Sequence, residues 1–240
     1  MSSDRPTGLP YMTTFVCIHG AGGHGSDWQL VGDILVTRGH RVIAVDLPCE
    51  QDVGLDAYAE TVLDAIAAAE LDDPARDLVL VAQSLGGLVA PLVADRLPPA
   101  AMVLVAAMIP APGETGHDWW TNTGHAEALS AQGLSDASPE SLFTHDVSPD
   151  VLAAYPAPRS QSGALLDEAW PLLRWPEVPT HFLACSEDRF FPLSWLRPLV
   201  QDRLGIEPIV VPGGHCAILS QPRALADAIA TCVEPRGQRP

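Results

Sequence analysis

The stretch LVLVAQSLGGLVAPLVADRL, residues 78 to 97, sets Ser84 between an apolar run and a helix-like pattern. A serine in that place can simply cap a helix. It becomes a nucleophile when the strand-to-helix turn is sharp enough to push out its Oγ, which requires small residues two positions before and two after. Ala82 and Gly86 meet that need, with alanine in place of the commoner glycine, and Gly87 lets the helix pack close. A nucleophilic serine then needs a general base, an acid to orient the base and donors for the developing oxyanion. In a parallel sheet all of these belong in loops after strands.

Among eight histidines, His215 in VVPGGHCAILSQP directly follows a late strand, with Gly213 and Gly214 free to aim it. In FLACSEDRFFP, Glu187 and Asp188 stand just past another strand. Asp188 is the choice for the orienting acid, with Glu187 its neighbour and competitor. The glycine-rich turn IHGAGGHGSDW exposes backbone amides, and those of Ala21 and Leu85 are the expected oxyanion donors. The turn lacks a G-x-G-x-x-G in register with an acidic ribose partner, and lacks G-K-[ST], so nucleotide binding is set aside. Asp46 precedes the serine and reads as a turn residue, and His24, His40, His117, His125, His145 and His181 read as structural or solvated. All the requirements are met in the chain order Ser, Asp, His, so Ser84 reads as a nucleophile.

The elements that must position these groups are legible as a rhythm. TTFVCIHG, RVIAVDLP, DLVLVAQ, AMVLVAAM, THFLACS and EPIVVPGG read as strands. They are continuously apolar, as expected of a parallel sheet covered on both faces. Helical patterns alternate with them. Trp28, Val31 and Leu35 share one face before a stop at Gly39, and Leu55, Tyr58, Val62 and Ile66 share another. Pro91 falls inside the helix after Ser84 and removes a hydrogen bond to Gly87, while Pro222 opens the last helix at no cost. The result is an α/β fold with a doubly wound, mainly parallel sheet of about six strands. From 113 to 170 no strong strand is found, and short helices forming a lid are expected, inserted after the fourth strand. The core is then 1–112 with 171–240, and the tail EPRGQRP reads as frayed.

A formal net charge of −17 on 240 residues argues against nucleic acid and against an anionic membrane surface. No apolar run approaches a membrane span, and MSSDRPTGLPYM has no secretory pattern. Five scattered cysteines without a C-x-x-C pair suit a reducing cytoplasm and read mostly as buried filler. No cofactor and no metal is implied, and the composition does not decide the oligomeric state.

HGAGG, AQSLGG, SEDRFFP and GGHCAILSQP together resemble the α/β-hydrolase superfamily, over about residues 14 to 232 outside the lid. They are most similar to the small group of plant methylesterases, hydroxynitrile lyases and bacterial relatives. The short approach to the first strand matches the small-core version of that fold. Lyases of the group carry a threonine where this chain has Gly20 and a lysine where it has Cys216, so the resemblance favours ester hydrolysis. The group's histidine before the nucleophile is Gln83 here, which alters the pocket wall. The resemblance implies a serine carboxylesterase working through an acyl-enzyme on small to medium uncharged esters. Gly20, Gln83, Trp119, Trp120, Phe143 and Cys216 are candidates to meet the substrate, and Tyr155 is a further lid aromatic. The alternatives are a lyase or C–C hydrolase, an acyl-transferring or cyclising tailoring enzyme, and a low-turnover ligand receptor.

Overall fold

A computed structural model describes residues 12–71 and 73–233. The first eleven residues and the EPRGQRP tail lie outside the described residues. Six strands form one parallel sheet: β1 (Thr14–Ile18), β2 (Arg41–Val45), β3 (Leu78–Gln83), β4 (Ala101–Val105), β5 (Thr180–Cys185) and β6 (Ile209–Val211). Their order across the sheet is β2-β1-β3-β4-β5-β6.

The six apolar runs read from the sequence are the six strands. Continuous burial holds only for the inner ones: β1, β3 and β4 are buried along their whole length. The edge strands are wetter. Ile209 and Val210 of β6 are exposed and β2 is buried only at Val45, because an edge strand lacks one lateral neighbour.

Helices cover both faces. Trp28 closes a 3₁₀ turn (Gly25–Trp28), and the α-helix proper runs Gln29–Thr37, ending before Gly39 at φ +86°. The helix Leu55–Ala67 buries Leu55, Tyr58, Val62 and Ile66, the stripe expected from its period. The helix Gly86–Arg96 is buried over nine of its residues, Pro91 included, and is the most enclosed helix against the sheet. Pro222 begins the last helix, Pro222–Val233.

Between β4 and β5 lie five short helices: Gly116–Asn122, His125–Ala131, Pro139–Phe143, Pro149–Ala154 and Ala164–Asp167. Ser138 and Ser148 cap two of them, each followed by proline in the first turn, where no N–H is missed. The two ends of the segment meet in an antiparallel bridge, Thr115 with Ala169, with the Trp170 amide donating to Glu114. Glu114 is buried there and takes both arms of Arg203 at 2.8 and 3.1 Å, plus the Asn122 amide and the Ala111 N–H. Burial would raise its pKa, yet these four donors outweigh burial and the carboxyl is held below its ordinary value.

The chain leaves β1 toward β2 and leaves β3 toward β4, so a crevice opens between the carboxyl ends of β1 and β3. In-register pairing of Ile18 with Ala82 puts the glycine-rich turn directly beside Gln83 and Ser84.

Candidate active site

Ser84 sits at φ +52°, in the left-handed region that a non-glycine residue occupies at a cost of about 1–3 kcal/mol. Both of its backbone groups are tied down: its N–H donates to Val105, and its carbonyl accepts from Gly87 and Met108. The turn tolerates nothing larger than glycine behind it. A Cβ on Gly86 would lie 3.1 Å from Ile18 Cγ2 and 3.2 Å from the carbonyls of Ile18 and His19, and one on Gly87 only 2.1 Å from the Met108 carbonyl. The atoms nearest a Cβ on Gly86 belong to the last residue of β1 and the one after it.

The strained turn delivers Oγ to His215, whose Nε2 lies 3.0 Å away, and Nδ1 of the same ring is 2.9 Å from Asp188 Oδ2. Two strands separate β3 from β6, so the gap is three spacings, roughly 14 Å at ordinary strand spacing. The chain after β6 crosses that distance through Gly213 at φ +107°, and the Gln83 amide then holds the His215 carbonyl. Asp188 is anchored on its other side: Oδ1 accepts the N–H of Phe190 and of Phe191, both at 2.8 Å. A carboxylate with three donors is fully satisfied and cannot swing away. Glu187 is exposed and does not reach the histidine; its backbone N–H bonds Gly213. Asp46 takes the Gly25 amide and faces Arg159, well away from His215.

Phe143, Phe190 and Phe191 stand edge-on around the His215 ring at 5.0–5.4 Å, so the pair with Asp188 is shut off from water. Trp119 takes a different part from the one expected. It is wholly enclosed, donates its indole N–H to Ile109, and packs on Phe191 and Trp195, so it supports the wall from behind. Trp120 is half-buried in the same cluster, and Tyr155 stands apart at the end of Pro149–Ala154. Gly20 lies so close to Ser84 that an added Cβ would be 2.5 Å from Gln83 Oε1 and 3.0 Å from Ser84 Cβ. Cys216 is half-buried as a residue, and burial of its thiol pushes the pKa up to about 12. It is therefore neutral at ordinary pH.

The N–H groups of Ala21 and Leu85 donate to no protein acceptor among the described residues. No group of three or more metal-ligating side chains occurs among the described residues.

Several site residues were not read from the sequence. His19 is fully buried. It accepts the Leu47 N–H at Nε2 (3.0 Å) and therefore carries its proton on Nδ1, which donates to the Gly20 carbonyl at 2.7 Å. Burial first, and then Arg159, lower its pKa, against the opposing Gly20 bond and the aspartates Asp27 and Asp46. From the insertion, Arg159 and Gln161 bond the glycine-rich turn, Asp146 takes the Gly214 N–H at 2.6 Å, and His125 donates to the Phe190 carbonyl at 2.7 Å. Each of the three loops around Ser84 is thus gripped from the same segment. One cue was available for Arg159: it is the single Arg or Lys between residues 113 and 170, among nine acidic side chains.

A sequence profile described as the alpha/beta hydrolase family matches residues 15–228. The chain belongs to the alpha/beta hydrolase family. It is similar to the probable esterase PIR7A of Oryza sativa subsp. indica, 42% identical over 110 residues, which is 42% of this chain and 41% of the rice protein. The match thus spans about two fifths of that relative. Similarity to the carbendazim hydrolyzing esterase of Nocardioides sp. is lower, 26% over 259 residues, but spans 91% of this chain and 99% of that one. Among solved structures, polyneuridine aldehyde esterase superposes with a TM-score of 0.75 at 21% identity, covering 93% of this chain and all of the other. That likeness concerns the alpha/beta hydrolase fold.

Proposed function

We propose that the protein is a serine carboxylesterase in which Ser84, His215 and Asp188 form the catalytic triad. The observation that carries the reading is the continuous hydrogen-bonded chain from Ser84 Oγ through His215 to Asp188, at 3.0 and 2.9 Å, starting from a backbone strained at Ser84. Several relatives bear esterase names, which supports the same reading.

In this mechanism His215 Nε2 accepts the Ser84 proton as Oγ attacks the ester carbonyl. The N–H groups of Ala21 and Leu85 receive the oxyanion, His215 returns the proton to the leaving alcohol, and an acyl-enzyme remains. Water, deprotonated by the same imidazole, releases the acid. Asp188 keeps Nδ1 protonated and balances the imidazolium. Residues 113–170 act as the cap of the core formed by the flanking segments. Aromatic walls around His215 favour an apolar acyl or alcohol group, and the charge of −17 disfavours anionic esters, so small to medium uncharged esters are the substrate class. The lyase reading is disfavoured by the neutral Cys216 thiol and by the lack of a hydroxyl side chain at Gly20. No helix among the described residues is long and apolar enough to cross a membrane. The scattered cysteines without a C-x-x-C pair favour a cytoplasmic location.

Steady-state hydrolysis of p-nitrophenyl acetate, butyrate and octanoate, with Ser84→Ala and His215→Ala beside the wild type, tests the proposal. Turnover that both variants abolish is the expected result. A folded wild type inert on all three esters overturns the general-esterase reading.

A further inference from the structure

We propose that Arg159, reaching in from the insertion, is a positioning residue that aims the oxyanion-binding amide of Ala21 by way of His19. The inference rests on the esterase reading of the same site. It starts from the peptide between Gly20 and Ala21. In a planar trans peptide the C=O and N–H point in opposite directions, so whatever anchors the Gly20 carbonyl aims the Ala21 N–H. Two donors anchor it: His19 Nδ1 at 2.7 Å and the Gly23 N–H at 3.2 Å. His19 can hold that carbonyl stably only while Nε2 remains an acceptor, since Nε2 also faces the Leu47 N–H at 3.0 Å.

Arg159 enforces this arrangement in three ways. Its Nη2 lies 3.2 Å from His19 Nε2, a second donor facing the atom that would have to take a proton. Its Nε donates to the Gly23 carbonyl at 2.9 Å, and Nη2 bonds the same oxygen. Its backbone N–H donates to the Gly22 carbonyl at 2.7 Å, while the Gly22 N–H donates to Gln161 at 3.1 Å. The strap lies flat on the turn: a Cβ at Gly22, itself at φ +61°, would meet the Arg159 carbonyl at 2.4 Å. The carbonyls of Gly20, Gly22 and Gly23 are all occupied, so the turn cannot flip a peptide without breaking a bond. The charged groups that act on His19 are Arg159, which opposes its protonation, and Asp27 and Asp46, which favour it. Asp46 lies 3.5 Å from the guanidinium. Removing Arg159 leaves the two aspartates unopposed, and they favour the doubly protonated ring that would drive Leu47 and the turn apart.

The test uses the full chain with Arg159→Met, which keeps the stem and loses the guanidinium, and Arg159→Lys, which keeps the charge and loses the fork. For p-nitrophenyl butyrate the expected result for Arg159→Met is a kcat lower by roughly 10- to 100-fold with KM within about threefold, as a misaimed oxyanion donor requires. Arg159→Lys recovers part of that loss. Long-range ¹H–¹⁵N spectra of the histidine rings give the second readout. Wild-type His19 carries its proton on Nδ1 and titrates below the ordinary imidazole range, and in Arg159→Met its titration moves upward. Unchanged His19 signals with kcat within twofold of wild type overturn the proposal. If Arg159→Met fails to fold, the same two readouts on Arg159→Lys decide. If the wild type hydrolyses no ester, the esterase reading falls, and the His19 spectra still decide whether Arg159 sets the ring's state.

Discussion

Replacing Asp188 separates the work this carboxylate does for the fold from the work it does for the histidine. Oδ1 holds the Phe190 and Phe191 amides at 2.8 Å each, and Oδ2 holds His215 Nδ1 at 2.9 Å. Asp188→Asn keeps one acceptor oxygen for the two backbone amides and turns an NH₂ toward the ring. Nδ1 then has a donor in front of it and must accept, so the imidazole proton moves to Nε2 and faces Ser84. The base no longer receives the serine proton, and the rate falls roughly 10³- to 10⁴-fold, about 4–5.5 kcal/mol of activation free energy. Stability changes little, by about 1 kcal/mol, since one polar contact is exchanged for another. Asp188→Ala loses the same activity but also strands a buried and a half-buried N–H, at about 1–3 kcal/mol for each stranded donor. Steady-state hydrolysis of p-nitrophenyl butyrate and urea unfolding, run on both variants, read the two effects apart. Glu187→Gln serves as control and should stay within about twofold of wild type. The reasoning fails if Asp188→Asn keeps more than a tenth of the wild-type kcat, or if the two variants are equally stable.

Other outcomes follow from the same geometry. Gly87→Ala forces a Cβ to within 2.1 Å of the Met108 carbonyl, a backbone atom that cannot step aside. About 2–3 kcal/mol of stability and 5–10 °C of Tm should be lost, whereas Gly39→Ala, with open space around it, should cost only the roughly 1–2 kcal/mol of its positive φ. Thermal unfolding monitored by circular dichroism checks both. His19 and His125 are held neutral, burial lowering the pKa of each below the ordinary 6.5. The unfolded chain therefore binds more protons in mild acid. Stability is full above about pH 6.5 and falls as pH drops below it, by up to about 1.4 kcal/mol per pH unit for each histidine. Urea midpoints at pH 8 and pH 5.5 should show the fall, and His125→Gln should lessen it; a pH-independent midpoint would refute the assignment.

The sequence by itself determined the sheet, the helices around it and the loops that meet at Ser84. The reason is local: a short β-rich run such as LVLVAQ suits a strand buried on both faces, and the period of LDAYAETVLDAIA suits a helix with one apolar stripe. Parallel strands bring every strand-following loop to one edge, so finding Ser84, Asp188 and His215 after three strands was enough to bring them together without knowing a single distance. The aromatic residues of 113–170 were legible as a group but not as individuals. Whether Trp119 lines a cavity or fills the core depends on where its indole N–H finds an acceptor, and that acceptor is Ile109 at the end of the sheet.

Only the tertiary structure decided which side chains of the insertion hold the loops around Ser84. Arg159 meets His19 from 140 residues away, Asp146 meets Gly214 from 68, and His125 meets Phe190 from 65. Such contacts leave no period in the sequence, because they satisfy backbone groups of irregular turns rather than a repeating face. A lone arginine in an acidic segment looks the same on paper whether it is solvated or half-buried against two glycine carbonyls. The difference lies in the path of the short helices around it, set by the packing of the whole segment on the sheet edge.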